Sequence, residues 1–119
     1  MSVDLRGMGH QESATIAAAT DTMVIGDQGI VQDVTVSSVV TLPATVVGYS
    51  FTFRVGAPGI TLSVSPNAAD LIAGNGFTAA DNKDLVFTNQ PTGSFVTLVG
   101  NGTTGWNVTA ISGTATREA

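Results

Sequence analysis

The sequence predicts an all-β chain: a small β-sandwich, jelly-roll-like or barrel domain with an extended N-terminal arm. Three observations predict it. β-Branched and aromatic residues recur in short runs with apolar–polar alternation, the pattern of strands covered on one face. Clusters of Gly, Pro, Asn and Asp punctuate these runs about every ten residues, as in sandwiches and barrels. No long stretch carries the apolar stripe of an amphipathic helix.

Taken in order, residues 1–13 are polar and without period, and they read as the arm. Residues 14–119 read as a single β domain. It opens with two short apolar runs, "ATIAAA" and "TMVIG". "GDQG" at 26–29 is a turn, because glycine tolerates positive φ and Asp27 can bond to nearby amides. "IVQDVTVSSVVTLP" resists helix through its β-branched residues and ends at Pro43, which cannot donate to a ladder. "SFTFRVG" sets Phe51, Phe53 and Val55 against Ser50, Thr52 and Arg54. After "APG", "ITLSVSP" places Ile60, Leu62 and Val64 on one face, so a hairpin between these two runs is expected.

Residues 67–83 are the least regular, with turn chemistry in "GNG" and "DNKD". "DLVFTN" puts Leu85 and Phe87 on one face, and "QPTG" turns the chain again. "SFVTLVG", "NGTTG" and "WNVTAIS" then read as a hairpin with a loop of roughly five residues. In "SFVTLVG", Phe95 and Val99 oppose Val96 and Leu98, so this strand wants cover on both faces, from the core and from a second sheet or a neighbouring subunit. About eight strands are expected. No exact internal repeat exists, so a solenoid is not.

Composition narrows the function. A chain of 119 residues fits one domain. Charged residues make up 11%, against roughly 25% in typical soluble domains. With solubility so weakly secured by charge, surface is expected to be hidden against copies of the chain or a larger assembly. The net charge is −5, and the four cations, Arg6, Arg54, Lys83 and Arg117, are scattered. Nucleic acid and anionic membrane, which require clustered cations, are therefore not expected partners. There is no cysteine, which excludes disulfides and thiolate metal sites. The N-terminus lacks the apolar core of a signal peptide, and no apolar run approaches the roughly 18 residues of a membrane span. Synthesis in a host cytoplasm is expected.

Catalytic chemistry finds little material, and neither an enzyme nor a cofactor or metal site is expected. His10, the lone histidine, would have to serve any Ser-His-Asp triad, and it lies in the arm without an orienting shell. Asp70, Asp81 and Asp84 recur loosely; a glycosidase using Asp70 and Asp84 competes with simple capping of turn amides. The glycine loops lack the spacing that cradles phosphate. Asn101-Gly102-Thr103 and Asn107-Val108-Thr109 match the glycosylation pattern in a chain full of threonine. Trp106 either stacks on a sugar or packs over a hairpin or interface. Arg54 either pairs with an acidic residue across an interface or stands on a solvated strand face.

The order of "VVTLPATVVGYSFTFRVG", "ITLSVSPNAADLIAGNG" and "LVFTNQPTGSFVTLVGNGTTGWNVTAISGT" resembles small structural proteins of tailed bacteriophages, over about residues 14 to 114. The chain resembles capsid decoration (cement) proteins, and is similar to modules attached to tail fibres. A single domain without a shaft or coiled coil, preceded by an arm, favours the head. The resemblance implies a homotrimer on the outer capsid surface of the virion, bridging neighbouring major capsid proteins and stabilising the mature shell. On this reading Val3, Asp4, Leu5, Arg6, Met8 and His10 contact the shell, and Val96, Leu98, Trp106 and Val108 form the subunit interface. The alternative is a trimeric tail-fibre-associated or receptor-binding module with a sugar site at Trp106.

Overall fold

The computed structural model describes residues 13–67, 70–74 and 83–118. Among them the chain is all-β apart from one 3-10 turn at Ile25–Asp27. Eleven strands follow one another: β1 Ser13–Ile16, β2 Thr20–Thr22, β3 Val31–Val34, β4 Ser38–Thr41, β5 Ser50–Val55, β6 Thr61–Ser65, β7 Leu71–Ala73, β8 Leu85–Thr88, β9 Phe95–Gly100, β10 Gly105–Ser112 and β11 Thr116–Arg117. They form two sheets, ordered β1-β3-β5-β9-β10-β7 and β11-β8-β6-β4-β2.

The first six strands alternate between the sheets. β1, β3 and β5 pair in parallel in the six-stranded sheet. β2, β4 and β6 pair in parallel in the five-stranded sheet. The chain therefore winds three coils, each laying one strand in each sheet. This corrects two expectations. β5 and β6 are not a hairpin, since they lie in different sheets. Their ladder edges are taken by β3 and β4 of the preceding coil, so residues 56–60 cross from one sheet to the other instead of reversing between neighbours. The chain also winds as a solenoid does over its first half, although its sequence does not repeat. The register shifts by 18 residues from Ser13 to Val31 but by 24 from Ser38 to Leu62. What recurs is inward–outward parity, and variable connections hide it from a search for exact repeats. Parallel pairing also separates this winding from the antiparallel jelly roll.

Beyond β6 the direction reverses. β8 pairs antiparallel with β6, and β9 with β5. β9 and β10 form the expected hairpin, with a register shift between Val108 and Ala110. β11 returns antiparallel on β8, and β7 closes the far edge in parallel with β10. The strands beyond the expected eight are mostly short, with three residues in β2 and β7 and two in β11, too few to show a period.

The core lies between the sheets and takes every second residue. β5 shows it most plainly: Phe51, Phe53 and Val55 are buried while Ser50, Thr52 and Arg54 are half-exposed. Leu62 and Val64, Leu85 and Phe87, and Val96 and Leu98 are buried in the same way from their own strands. Trp106 lies edge-on to Phe51, with ring centroids 5.4 Å apart. Among the described residues three polar side chains are buried, Gln32, Ser38 and Ser94, and of these Gln32 has an unpartnered atom, its Nε2.

Thr45 ties the coils to the closing strands. Its hydroxyl donates to the Gly105 carbonyl (2.6 Å) and accepts from the Gly102 amide (3.0 Å), while its own amide donates to Asp70 Oδ2 (3.0 Å). The hairpin turn it meets is organised by Asn101, whose Oδ1 accepts from the amides of Thr103, Thr104 and Gly105. Gly105 is required there, because an added Cβ would collide with the Leu71 backbone of β7. Thr45→Val removes both hydroxyl bonds, each with a net contribution of about 0.5–1.5 kcal/mol. The expected outcome is a loss of about 1–3 kcal/mol, measured as a lower urea midpoint with unchanged slope.

Candidate functional site

The described residues offer surfaces rather than a cleft. The outer face of the five-stranded sheet is built from short polar and β-branched side chains. Thr20, Val39, Ser63, Val86 and Thr116 run across it in one row of paired positions. Thr22, Thr41 and Ser65 form a second row beside it. None of these side chains carries charge.

Exposed aliphatic side chains are concentrated on two connections that leave this sheet. Among the described residues six large apolar side chains are exposed, and four of them, Val24, Ile25, Val46 and Val47, sit on the β2–β3 and β4–β5 connections. Val47 is the most exposed, at 73%. The two connections run side by side because the strands at both of their ends are paired, β2 with β4 and β3 with β5. Each carries its exposed pair directly before a glycine, Gly26 or Gly48. From the sequence, "TMVIG" reads as an apolar run and "TVVG" as too short and too β-branched for a helix, and neither reads as exposed surface. The recurring V-[IV]-G after a buried Met23 or Leu42 was the available signal.

The outer face of the six-stranded sheet is more polar. A groove of about 330 Å³ is lined by Val31, Thr52, Arg54, Gly93, Phe95 and Thr97. The hydroxyls of Thr52 and Thr97 lie 2.9 Å apart on the paired strands β5 and β9. Arg54 donates to Asp33 on the adjacent strand β3 and forms an ion pair with it. Its acidic partner is therefore within the chain.

The expected interface residues are elsewhere than at a surface. Val96, Leu98, Trp106 and Val108 all point into the core, with Val96 and Leu98 fully buried and Trp106 at 1% exposure. Strand parity decides this, because the opposite side of β9 carries Phe95, Thr97 and Val99, all half-exposed. A trimer contact through the four named side chains is thereby corrected, as is stacking of Trp106 on a sugar. Its indole is enclosed by the two sheets, and its Nε1 has no hydrogen-bond partner. Val3, Asp4, Leu5, Arg6, Met8 and His10, together with Asp81, lie outside the described residues.

The remaining carboxylates of the glycosidase reading have structural work. Asp70 holds the Thr45 amide. Asp84 precedes β8 beside β11; its carboxylate shares a hydrogen bond with Ser65, while its backbone amide donates to Glu118 Oε1 and its carbonyl accepts from the Glu118 amide. Among the described residues no group of three His, Cys, Asp or Glu side chains is placed to hold a metal ion. Among the described residues no helix is long and apolar enough to cross a membrane. Comparison with protein-family models, with curated proteins and with solved structures finds no match.

Partial burial raises the pKa of Asp84 above its ordinary 3.8, and the nearby Glu118 charge adds to the rise, while a hydrogen bond with Ser65 opposes it. Ionising Asp84 therefore costs the folded state. That cost is present above the folded pKa and vanishes as pH falls through it toward the unfolded value. Asp84→Asn, which keeps an acceptor for Ser65, is expected to be more stable than the parent at neutral pH. Urea midpoints taken at neutral pH and near pH 4 should show this advantage shrinking on the acid side.

Proposed function

We propose that the chain is a structural virion protein that decorates the outside of a phage head and stabilises the mature shell by bridging neighbouring major capsid proteins. The observation that carries this reading is the exposure of four large aliphatic side chains, Val24, Ile25, Val46 and Val47, on the two connections that lead from the five-stranded to the six-stranded sheet. Clustered exposed apolar side chains on a small domain mark a contact surface. The resemblance of the sequence to decoration proteins supplies the partner, and with it the homotrimer. A ligand that binds the assembled shell and not its unfolded or unassembled form stabilises it by mass action, so many modest contacts suffice.

These side chains make the reading testable. Burial of an aliphatic side chain contributes about 1.5–3 kcal/mol. Ile25→Asp with Val47→Asp is therefore expected to weaken co-sedimentation with mature heads by about a hundredfold or more, with an unchanged far-ultraviolet spectrum. Immunogold labelling of particles from the source lysate decides the location. Gold spread over the head supports decoration. Gold at the tail tip overturns it in favour of the fibre-associated module, and unlabelled particles overturn both. Native mass spectrometry of the purified chain tests the trimer.

A further inference from the structure

The turn between β9 and β10 contains Asn101-Gly102, a pair prone to intramolecular attack on the carboxamide, because glycine has no Cβ to hinder the approach of its nitrogen. The reaction balances within the chain. The Gly102 backbone nitrogen bonds to Asn101 Cγ, the Cγ–Nδ2 bond breaks, and Nδ2 leaves as ammonia with the proton that the Gly102 nitrogen gives up. Water then adds to either carbonyl of the cyclic imide and opens it to aspartate or isoaspartate. Gly102 and Thr103 are exposed, so water reaches the site.

The folded turn withholds both reacting atoms. The Gly102 amide donates to Thr45 Oγ1 (3.0 Å). The lone pair left by deprotonation lies along the former N–H direction, so it aims at Thr45 and away from Cγ. The carboxamide is held separately. Its Oδ1 accepts from the amides of Thr103 (2.9 Å), Thr104 (2.9 Å) and Gly105 (3.0 Å), and its Nδ2 donates to Thr104 Oγ1 (2.9 Å). Turning Cγ onto the Gly102 nitrogen breaks these bonds together. The same three amides polarise the Asn101 carbonyl, as the donors of an oxyanion hole do. The electronics therefore favour attack, and only position prevents it. Gly102 also lies against the exposed β4–β5 connection: a Cβ added there would come within 2.5 Å of Val47 Cγ2.

We propose that Asn101 is a covalent modification site, a deamidation site held closed by the folded turn, with Thr45 as the positioning residue that withholds the Gly102 nitrogen. Opening the turn starts a one-way step. Isoaspartate adds a methylene to the backbone between residues 101 and 102, so the Gly102 amide no longer meets Thr45. The β4–β5 connection, which carries Val46 and Val47, then loses one of its ties to the hairpin. The chemistry does not depend on what those two side chains contact.

Asn75-Gly76, the other such pair in the sequence, lies outside the described residues, and tryptic cleavage at Lys83 separates the two sites. Fragment mass spectrometry after incubation at mildly alkaline pH reads the conversion of Asn101. The folded parent is expected to convert roughly tenfold or more slowly than the chain unfolded in guanidinium chloride, since only opened turns react. Thr45→Val, folded by its far-ultraviolet spectrum, is expected to convert roughly fivefold or more faster than the parent, the change that one lost hydrogen bond corresponds to. Thr45→Ser keeps the hydroxyl and should protect as the parent does. Val34→Ala truncates a buried side chain paired with Val55, at the end of β5 away from the turn, and should leave the rate at the parent's. Conversion of the folded parent at the unfolded rate overturns the proposal. So does an unchanged rate in Thr45→Val, or an equal acceleration by Val34→Ala.

Discussion

Every buried side chain of the first half depends on one constraint: each successive strand must cross to the opposite sheet and pair in parallel with the strand one coil earlier. Alternation along a strand buries one face only. With two facing sheets, both inward faces meet, and Val34, Val40, Phe53 and Val64 enclose one another without a helix to cover them. Parallel pairing holds the parity in step from coil to coil, since a slip of one residue would turn the apolar set outward.

Parallel coils have two open edges, and the chain treats them differently. At one end the direction reverses. β8 and β9 pair antiparallel with the last coil, and β10, β11 and β7 finish the stack. This closure is anchored in polar detail, with Thr45, Asn101 and Asp70 joining the β4–β5 connection to the final hairpin. It also carries the edge-on packing of Trp106 against Phe51. At the other end β1 and β2 remain edges of the described structure.

Winding also determines what the surface can do. The two connections running from the five-stranded to the six-stranded sheet, β2–β3 and β4–β5, expose four aliphatic side chains between them. The same geometry places Asp33 beside Arg54, neutralising the cation within the chain. A surface of hydroxyls and aliphatics, with its charges paired or scattered, suits contact with a large preformed assembly better than binding of a charged ligand.

The sequence by itself determined the all-β class and the inward and outward faces of individual strands. Phe51 and Phe53, Leu62 and Val64, and Leu85 and Phe87 were legible as same-face pairs because alternation is a local property of a pleated strand. The final hairpin was legible because a short Asn-Gly loop joins strands that are neighbours in space. The partners of the other strands were decided only by the tertiary structure. Whether "APG" reverses β5 onto β6 or carries it across to the other sheet depends on which edges the previous coil left free, and no residue near Pro58 encodes that. For the same reason the candidate interface fell on the wrong face. Both sides of β9 are apolar, and only the position of the second sheet decides that Val96 and Leu98 are inside while Phe95 and Val99 are not.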